Sequence, residues 1–266
     1  MCGITITSCS KSINLSTRVK PEEIKLLINS LIKTKKDQYI DKLFELVMNY
    51  KSDLNFLNYF KSEQERKEIY LCKRKLQKFV NNNKRINNIL LSRNEKVLDI
   101  LWFLDYELIN RFKFVKNFIR KEKYLNHTLI FFKTLNSVIN SINLLEMRGR
   151  DSLGLMFNIN LKNTNENVLW VKRNLKSEKY IKVNKKDIIV NVIYKNCNIF
   201  GSLGDNSKII LKKIKNDHQI LKLLKSGIYE NINIIAHTRW ASVGQVDIGN
   251  THPLVNVTES SNKIPT

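Results

Sequence analysis

The residue best suited to covalent catalysis is Cys2, which follows the initiator methionine in Met1-Cys2-Gly3-Ile4. Removal of Met1 would leave one residue that carries both a thiol and a free α-amine, a known arrangement for an activated nucleophile. An unperturbed α-amine titrates at about 7.7–8.0 and an unperturbed cysteine at about 8.5, so both groups lie near useful protonation states in a cell. Position 2 therefore predicts a cysteine nucleophile. The alternative is a cysteine that follows Met1 by chance.

Two further segments hold charged and polar residues in compact motifs. Residues 145–154 read LEMRGRDSLG, residues 237–244 read HTRWASVG, and the second motif is followed by NTHP at 250–253. A guanidinium such as that of Arg239 can bind a carboxylate through two parallel hydrogen bonds. Each motif alone is a weak indication of function, whereas all of them in this order are a strong one.

In this order, the segments resemble the glutaminase domain of class II glutamine amidotransferases, which are N-terminal nucleophile hydrolases. The branch that they resemble most is the glutamine–fructose-6-phosphate aminotransferases. The resemblance covers residues 1–10 and about 135–256. It implies an α+β fold, a partial α/β/β/α sandwich of the N-terminal nucleophile hydrolase type over 1–266, with a basic helical region inserted at 20–134. It also implies glutamine as substrate and, in the full enzyme, a sugar phosphate that accepts the ammonia to give glucosamine 6-phosphate.

The resemblance implies a role for each motif residue. Cys2 would attack the side-chain amide of glutamine and form a thioester, and its α-amine would carry the proton to the leaving ammonia. Arg239, assisted by the Ser242 hydroxyl, would bind the α-carboxylate of glutamine, and Trp240 would pack near the glutamine pocket. The residues expected to shape the site are Gly3, Arg148, Gly149, Asp151, His237, Thr238 and His252.

Structural explanations stay open for several of these residues. Arg239 could form a surface salt bridge, and Trp240 could be a plain core aromatic. Arg148 is long enough to stabilise a thiolate at Cys2, since a nearby cation favours the charged form. A structural pair between Arg148 and Asp151 that fixes the turn is an equally good explanation.

Two departures from the family pattern stand out. Val243 occupies the position where the family usually has a histidine that helps to bind the glutamine carboxylate. The sequence ends at Thr266, before the His-Asn-Gly segment that forms the family's oxyanion hole. Removal of one oxyanion donor typically lowers the rate by about 10²–10³. We therefore expect the 266-residue chain to be part of a longer enzyme, with little glutaminase activity of its own.

The net charge of +22 arises from 46 lysines and arginines against 24 aspartates and glutamates. Such a charge is typical of a protein that binds nucleic acid or an anionic surface. Lysine, asparagine and isoleucine are abundant together, and all three have A/T-rich codons, so coding bias is the favoured explanation. A function of a different class stays open: a non-catalytic amidotransferase-like module whose basic helical region binds an anionic partner such as RNA.

Cysteine and histidine positions argue against other kinds of site. Cys2, Cys9, Cys72 and Cys197 show no CxxC pairing and the histidines are dispersed, so neither a zinc site nor a disulfide framework is expected. We expect no metal and no cofactor. The sequence has no apparent signal peptide and no apolar run of about 20 residues, which predicts a cytoplasmic protein without a membrane span. Oligomerisation would come through domains outside this chain.

Glycine and proline divide the sequence into a helical and a strand-rich part. No glycine lies between residues 4 and 148, and apolar residues follow i, i+3, i+4, i+7 spacing from Ile24, which predicts amphipathic helices over about 20–146. After residue 147, short runs of β-branched and aromatic residues predict strands. Apolar spacing predicts one helix over Lys208–Leu224. The predicted strands are Leu153–Leu161, Asn167–Lys172, Ile188–Tyr194, Asn198–Gly201 and Asn233–His237.

Overall fold

The computed structural model describes residues 3–10, 17–83, 91–119, 124–147, 149–175, 180–197, 202–240 and 246–254. These residues form an α+β protein, and the chain divides into two compact units. One unit joins Met1–Ser12 to Lys121–Thr266 and carries the strands, whereas the other, Ile13–Arg120, is helical. The motif segments from both ends of the sequence therefore belong to one unit.

Helices and strands occur in separate blocks along the chain. The helical unit contains α1 (Pro21–Thr34), α2 (Gln38–Asn49), α3 (Asp53–Lys61), α4 (Glu63–Asn83), α5 (Leu91–Trp102), a π-helix (Phe103–Asn110) and α6 (Arg111–Phe118). The helices of the strand-bearing unit are α7 (Asn126–Leu145), α8 (Asn165–Asn174), α9 (Asp205–Asn216) and α10 (His218–Ser226). Its strands are β1 (Gly3–Ser10), β2 (Ser152–Lys162), β3 (Tyr180–Val183), β4 (Asp187–Cys197) and β5 (Tyr229–Arg239).

The strands form one five-stranded sheet in the order β1-β5-β2-β4-β3, and all neighbours run antiparallel. Because side chains alternate across a strand, one face of the sheet collects the apolar positions. On the two central strands, the apolar residues of this face are fully buried: Leu153, Leu155, Phe157, Ile159, Ile232, Ile234 and Ala236.

Helices α7 and α9 cover this apolar face. Helix α7 packs against β1 and β5, and α9 packs against β4 and β2. Phe131 of α7 meets Phe157 of β2 edge to face, with ring centroids 5.2 Å apart, and Tyr194 of β4 meets the same ring at 5.6 Å. Edge-to-face pairs add about 0.5–1.5 kcal/mol beyond the area they bury. This cluster fixes the strands that carry the motif residues.

The opposite face of the sheet carries hydrogen-bonded asparagines. Asn158 of β2 donates from Nδ2 to Asn191 Oδ1 at 2.7 Å, and Asn233 Nδ2 donates to Asn158 Oδ1 at 3.3 Å. One pair further along, Asn160 Nδ2 donates to Asn231 Oδ1 at 2.9 Å. These side-chain amides join β4, β2 and β5 in addition to the backbone ladder.

A buried carboxylate organises the helical unit. Glu65, only 6% exposed, accepts hydrogen bonds from the Arg18 guanidinium at 3.1 and 2.6 Å and from the Tyr50 hydroxyl. The Asn55 side chain accepts from the Val19 backbone N–H at 2.9 Å. Together these bonds fasten the segment that enters α1 to the end of α2 and to α3 and α4.

The prediction of a strand over Asn167–Lys172 is wrong, because these residues lie within α8. Thr164 caps the helix, since its hydroxyl accepts from the Asn167 backbone N–H at 3.2 Å. Arg173 and Lys172 lie in the last turn, where positive charge stabilises the helix dipole. The cap and the dipole outweigh the β propensity of the valines in this segment.

The single helix predicted over Lys208–Leu224 is two helices, α9 and α10, which are separated at Asp217. The Asp217 side chain caps α10 by accepting from the Ile220 N–H at 3.1 Å, and it also accepts from the Tyr194 hydroxyl at 2.9 Å. The carboxylate thereby holds a non-helical backbone between two helices, although the apolar spacing continues across it.

Three of the predicted strands are confirmed as parts of β2, β4 and β5: Leu153–Leu161, Ile188–Tyr194 and Asn233–His237. Strand β3 was not predicted, and residues 198–201 lie outside the described part of the chain. The second part of the strand-bearing unit starts at Lys121, ahead of the predicted end of the insertion at 134, because α7 packs on the sheet. No helix in the described ranges has both the length and the apolar character needed to cross a membrane.

Candidate functional site

Three chain segments that are remote in sequence meet at one end of the sheet. Because β1 and β2 both run antiparallel to β5, the beginnings of β1 and β2 lie beside the end of β5. Gly3 is paired with Thr238, and Ser152 is paired with Arg239. We call this place, defined by those four residues, the motif end of the sheet, and it is the candidate site.

Gly3 lies where no side chain fits. A Cβ on Gly3 would lie 2.7 Å from the Cβ of Leu145 and 2.9 Å from the Thr238 hydroxyl oxygen. Thr238 is fully buried, and its hydroxyl donates to the Gly3 carbonyl at 3.5 Å. The end of α7 and strand β5 therefore fix the backbone of the residue that follows position 2.

Arg239 contacts both the beginning of β2 and the segment 246–254. Its Nη1 donates to the Asn250 carbonyl at 2.7 Å, and its own carbonyl accepts from the Asp151 backbone N–H at 3.1 Å. A guanidinium carries five N–H donors in a planar fork, which matches the geometry of a carboxylate. The Arg239 side chain thus brings anion-binding chemistry to the motif end.

Asp247 shapes the segment that Arg239 contacts. Its carboxylate oxygens accept from the backbone N–H of Asn250 at 2.7 Å and from the Asn250 side-chain amide at 2.8 Å. Its carbonyl accepts from the hydroxyl of Thr251, a fully buried residue, at 2.7 Å. These bonds form a compact turn that presents the Asn250 carbonyl to Arg239.

The same segment crosses β2 at Gly154. A Cβ on Gly154 would lie 1.7 Å from the carbonyl oxygen of His252, so the backbone of the segment occupies the space of a side chain. Gly154 belongs to the motif at 145–154, but the resemblance implies no role for it. A glycine inside a strand often marks such a close approach of another backbone, which is the signal that was available.

His237 and His252 are neighbours on this side of the sheet, with ring centroids 5.1 Å apart. Burial lowers the pKa of His237, and the nearby charges of His252 and Arg239 lower it further. Within the described ranges, the buried Nδ1 atom of His237 has no hydrogen-bond partner. The two rings connect β5 to the segment 246–254.

Glu146 is a buried acid at the end of α7 that sequence reasoning missed. It is 2% exposed, and its Oε2 accepts from the Gly204 backbone N–H. Its Oε1 has no hydrogen-bond partner among the residues that the structure describes. Burial raises the pKa of its carboxyl. Because the Gly149 backbone N–H donates to the Glu146 carbonyl at 3.3 Å, this residue also supports the turn that leads into β2.

Of the remaining predicted site residues, some lie within the described part of the chain and others lie outside it. Trp240 follows the end of β5 and is 52% exposed, so it is not a core aromatic. Cys2, Arg148 and Ser242, like Val243, lie outside the described residues. Among the residues that are described, no group of three or more histidines, cysteines, aspartates or glutamates is arranged to hold a metal ion.

Comparison of the chain with known protein families, with curated proteins and with solved structures found no match. The motif end itself is therefore the feature that bears on function. There, a guanidinium, a half-exposed indole and two histidine rings lie near the backbone that leads to position 2. Of these groups, the guanidinium can bind an anion such as a carboxylate.

Proposed function

We propose that the strand-bearing unit carries the glutaminase site of a class II glutamine amidotransferase, with Cys2 as the nucleophile. The observation that supports this most is the pairing of Gly3 with Thr238 and of Ser152 with Arg239. Similar motifs can occur in a sequence without meeting in space. Here the strand order brings the beginning of β1, the beginning of β2 and the end of β5, each next to or within a motif, to one end of the sheet.

Distances along the backbone support the assignment of Cys2 and Arg239 to one site. Residue 2 is joined to Gly3 by one peptide bond, and consecutive Cα atoms are about 3.8 Å apart. Directly paired residues of antiparallel strands have Cα atoms about 4.5–5.5 Å apart, and Gly3 is paired with the residue before Arg239. A single amino acid bound by its α-carboxylate at Arg239 could therefore extend its side chain to Cys2.

The proposed reaction has two steps. The Cys2 thiol attacks the side-chain amide carbon of glutamine, so that a C–S bond forms and the C–N bond breaks. The α-amine of Cys2 takes the thiol proton and passes it to the leaving nitrogen, which departs as ammonia. Water then cleaves the thioester, releasing glutamate and restoring the thiol. Arg239 and Ser242 bind the α-carboxylate, and Trp240 lies beside the bound amino acid.

The proposal extends to the fold and to the parent reaction. An antiparallel sheet with helices on one face is what one half of an α/β/β/α sandwich contributes, and this supports the N-terminal nucleophile hydrolase fold. The motifs at 148–154 and 237–241 support conversion of fructose 6-phosphate and glutamine to glucosamine 6-phosphate and glutamate. The ammonia would then pass to a sugar phosphate bound in another domain.

Covalent labelling tests the glutaminase proposal. The chain, processed to begin at Cys2, is incubated with a glutamine analogue that carries an electrophilic diazoketone, and the adduct is located by mass spectrometry. We expect one adduct per chain, at Cys2, which glutamine prevents and Cys2→Ala abolishes. Cys197→Ala is the matched control and should label normally, and the other two cysteines, Cys9 and Cys72, are buried.

Arg239→Lys separates recognition of glutamine from reactivity of the thiol. We expect this variant to slow labelling by the glutamine analogue about tenfold or more, because lysine cannot reproduce the bidentate contact. Labelling by iodoacetamide, which has no carboxylate, should hardly change. Absence of a glutamine-protected adduct at Cys2 would refute the proposal. Binding of RNA with a steep salt dependence would then favour the non-catalytic alternative.

A further inference from the structure

Two aromatic rings lie stacked and exposed on the surface of the helical unit. Trp102 and Tyr106 are 51% and 54% exposed, their ring centroids are 5.7 Å apart, and their planes differ by 18°. Leu98, one turn before Trp102, is 47% exposed. Scattered apolar side chains are normal on a protein surface, but three large ones in a row form a patch of the kind that marks an interaction site.

Two carboxylates lie along the same side of the helix. Glu95 and Asp99 are exposed, and with Trp102 and Tyr106 they follow i, i+4, i+7, i+11 spacing. We call Glu95, Leu98, Asp99, Trp102 and Tyr106 the acidic aromatic stripe. Within the part of the chain that the structure describes, neither carboxylate has a hydrogen bond or an ion pair.

The local backbone keeps the two rings in line. The residues from Phe103 to Asn110 form a π-helix, whose i→i+5 hydrogen bonds give a wider turn than an α-helix. Phe103, Leu104 and Leu108 of this segment are buried, so the π-helix is fastened to the unit by its other side. Such segments occur frequently at functional sites, which is a second reason to expect a role for this surface.

The charges on the stripe are not explained by the stability of the unit. Asp105, in the same region, is neutralised by Lys73 at 2.6 Å. Glu95 and Asp99, by contrast, are like charges at i, i+4, which destabilise a helix slightly. These two carboxylates beside the exposed aromatic rings therefore do not stabilise the helical unit.

The chemistry of the stripe selects one class of ligand. Two carboxylates repel phosphates, so a nucleic acid is disfavoured at this surface even though the chain is strongly basic. A guanidinium stacks on aromatic faces and also binds carboxylates through paired hydrogen bonds. Asp99 and Trp102, three residues apart on a helix, have Cβ atoms about 5–6 Å apart, so one guanidinium can reach both.

We infer that the acidic aromatic stripe binds an arginine-bearing segment of a partner protein. One arginine stacks on Trp102 or Tyr106 and pairs with Asp99, and an aliphatic side chain of the segment covers Leu98. A large part of the energy of such interfaces comes from Trp, Tyr and Arg at the centre of the contact. This function is independent of the glutaminase proposal, because the stripe lies in the other unit.

The test titrates the full chain into a fluorescently labelled, capped peptide of six arginines and follows its anisotropy. A capped hexalysine peptide has the same charge but cannot stack in the same way. Trp102→Ala and Asp99→Asn remove the two proposed contacts. Their matched controls are Tyr70→Ala, which removes a 50% exposed aromatic ring of α4, and Glu45→Gln, which removes an exposed carboxylate of α2.

We expect hexaarginine to bind at least about threefold more tightly than hexalysine, Trp102→Ala to weaken binding about tenfold, and Asp99→Asn to weaken it about threefold. Both control variants should stay within about twofold of the parent chain. No saturable binding, or an equal loss in Trp102→Ala and Tyr70→Ala, overturns the proposal. The proposal is also overturned if single-stranded RNA binds in a way that depends on Trp102, which would make RNA the ligand of the stripe. It is likewise overturned if sedimentation shows self-association that depends on Trp102, which would make a second copy of the chain the partner.

Discussion

The carbonyl oxygen of His252 occupies the space that a side chain on Gly154 would need, since a Cβ there would lie 1.7 Å from that oxygen. The segment 246–254 thus packs directly on the backbone of β2. The same segment offers the Asn250 carbonyl to Arg239 at 2.7 Å. The position of the Arg239 side chain therefore depends on the absence of a side chain at a residue on a different strand.

Replacement of Gly154 by alanine should destabilise the strand-bearing unit or displace this segment. A methyl group does not fit against the His252 carbonyl, and overpacking costs about 1–3 kcal/mol. We expect the free energy of unfolding in urea to fall by about that amount. If the segment moves instead, the Thr251 amide, which donates to the Ile248 carbonyl at 3.3 Å, should exchange with solvent faster.

Gly249→Ala is the matched control within the same segment. A Cβ on Gly249 would lie 3.1 Å from Asp247 Oδ1, the far end of a side chain that can move. We expect this variant to differ from the parent chain by less than about 0.5 kcal/mol. A Gly154→Ala chain with unchanged stability and unchanged exchange at Thr251 would show that the close approach is not rigid.

The lowered pKa of His237 predicts a loss of stability in acid. Burial and the charges of His252 and Arg239 make the folded chain bind a proton at His237 less readily than the unfolded chain does. By linkage, the resulting stability is present above the unfolded pKa of about 6.5 and is lost as the pH falls through that value towards the lowered folded pKa. His237→Asn should flatten this part of the stability–pH curve measured by urea unfolding.

His252→Gln provides a direct check on the cause of that shift. Without the charge of the His252 ring, the pKa of His237 should move upward, because one of the groups that lower it is gone. NMR titration of the His237 Cε1–H signal measures this change. A His237 titration that is identical in the two chains would contradict the assigned interaction.

Glu146 predicts pH dependence of the opposite sign. Burial raises the pKa of its carboxyl, so the folded chain binds this proton more tightly than the unfolded chain, whose glutamate has its usual value of 4.5. Stability is therefore lost as the pH rises above that value and through the raised folded pKa. Glu146→Gln, which stays neutral, should gain stability relative to the parent chain as the pH rises from about 4 to about 8.

Glu146→Ala distinguishes the charge of this residue from its hydrogen bond. Alanine leaves the Gly204 N–H, which donates to Glu146 Oε2, without its acceptor. An unsatisfied buried donor costs about 1–3 kcal/mol, and this loss should appear at every pH. Equal behaviour of Glu146→Gln and Glu146→Ala across the pH range would indicate that burial of the charge is not the dominant effect.

Strands could be predicted where β-branched and aromatic residues form a short run, but such a run gave a wrong prediction where a local cap selects a helix. Ile188–Tyr194 is such a run, and β4 forms there. Asn167–Lys172 contains β-branched residues too, but the Thr164 cap, three residues before Asn167, selects a helix. The divided helix at Asp217 could not be predicted from apolar spacing, because it depends on contacts to Tyr194 and Ile220.

The motif residues could be named from the sequence, whereas their meeting at one end of the sheet could not be predicted. The motifs identify Gly3, Thr238 and Arg239, yet their adjacency depends on the sheet order, which no spacing in the sequence specifies. Glu146 carries no sequence signal beyond its place within the motif at 145–154. Its importance follows from burial, which only the packing of α7 near Gly204 produces.

The asparagines on the face of the sheet opposite to α7 and α9 should contribute measurable stability. Asn158 is bonded to both Asn191 and Asn233, at 2.7 and 3.3 Å, whereas Asn160 has one such bond, to Asn231. A hydrogen bond contributes about 0.5–1.5 kcal/mol net, so Asn158→Ala should cost more than Asn160→Ala. Urea unfolding of the two variants compares them, and equal losses would show that the second bond contributes nothing.

The buried Glu65 predicts that one large loss can be partly reversed by a second substitution. Arg18→Met leaves the Glu65 carboxylate, which is 6% exposed, without its cation. Removal of one partner of a buried pair costs about 3–5 kcal/mol, and because the Arg18 side chain is 34% exposed we expect about 2–3 kcal/mol.

The double variant Arg18→Met/Glu65→Leu should be more stable than Arg18→Met alone, because it no longer buries an unpaired charge. The Tyr50 hydroxyl, which donates to Glu65, then lacks its acceptor, so the recovery should be incomplete. Tyr50→Phe in the same background removes that unsatisfied group and should restore further stability. Hydrogen exchange of the α4 amides in urea reports on this unit, and losses that simply add in the double variant would contradict the coupling of Arg18 to Glu65.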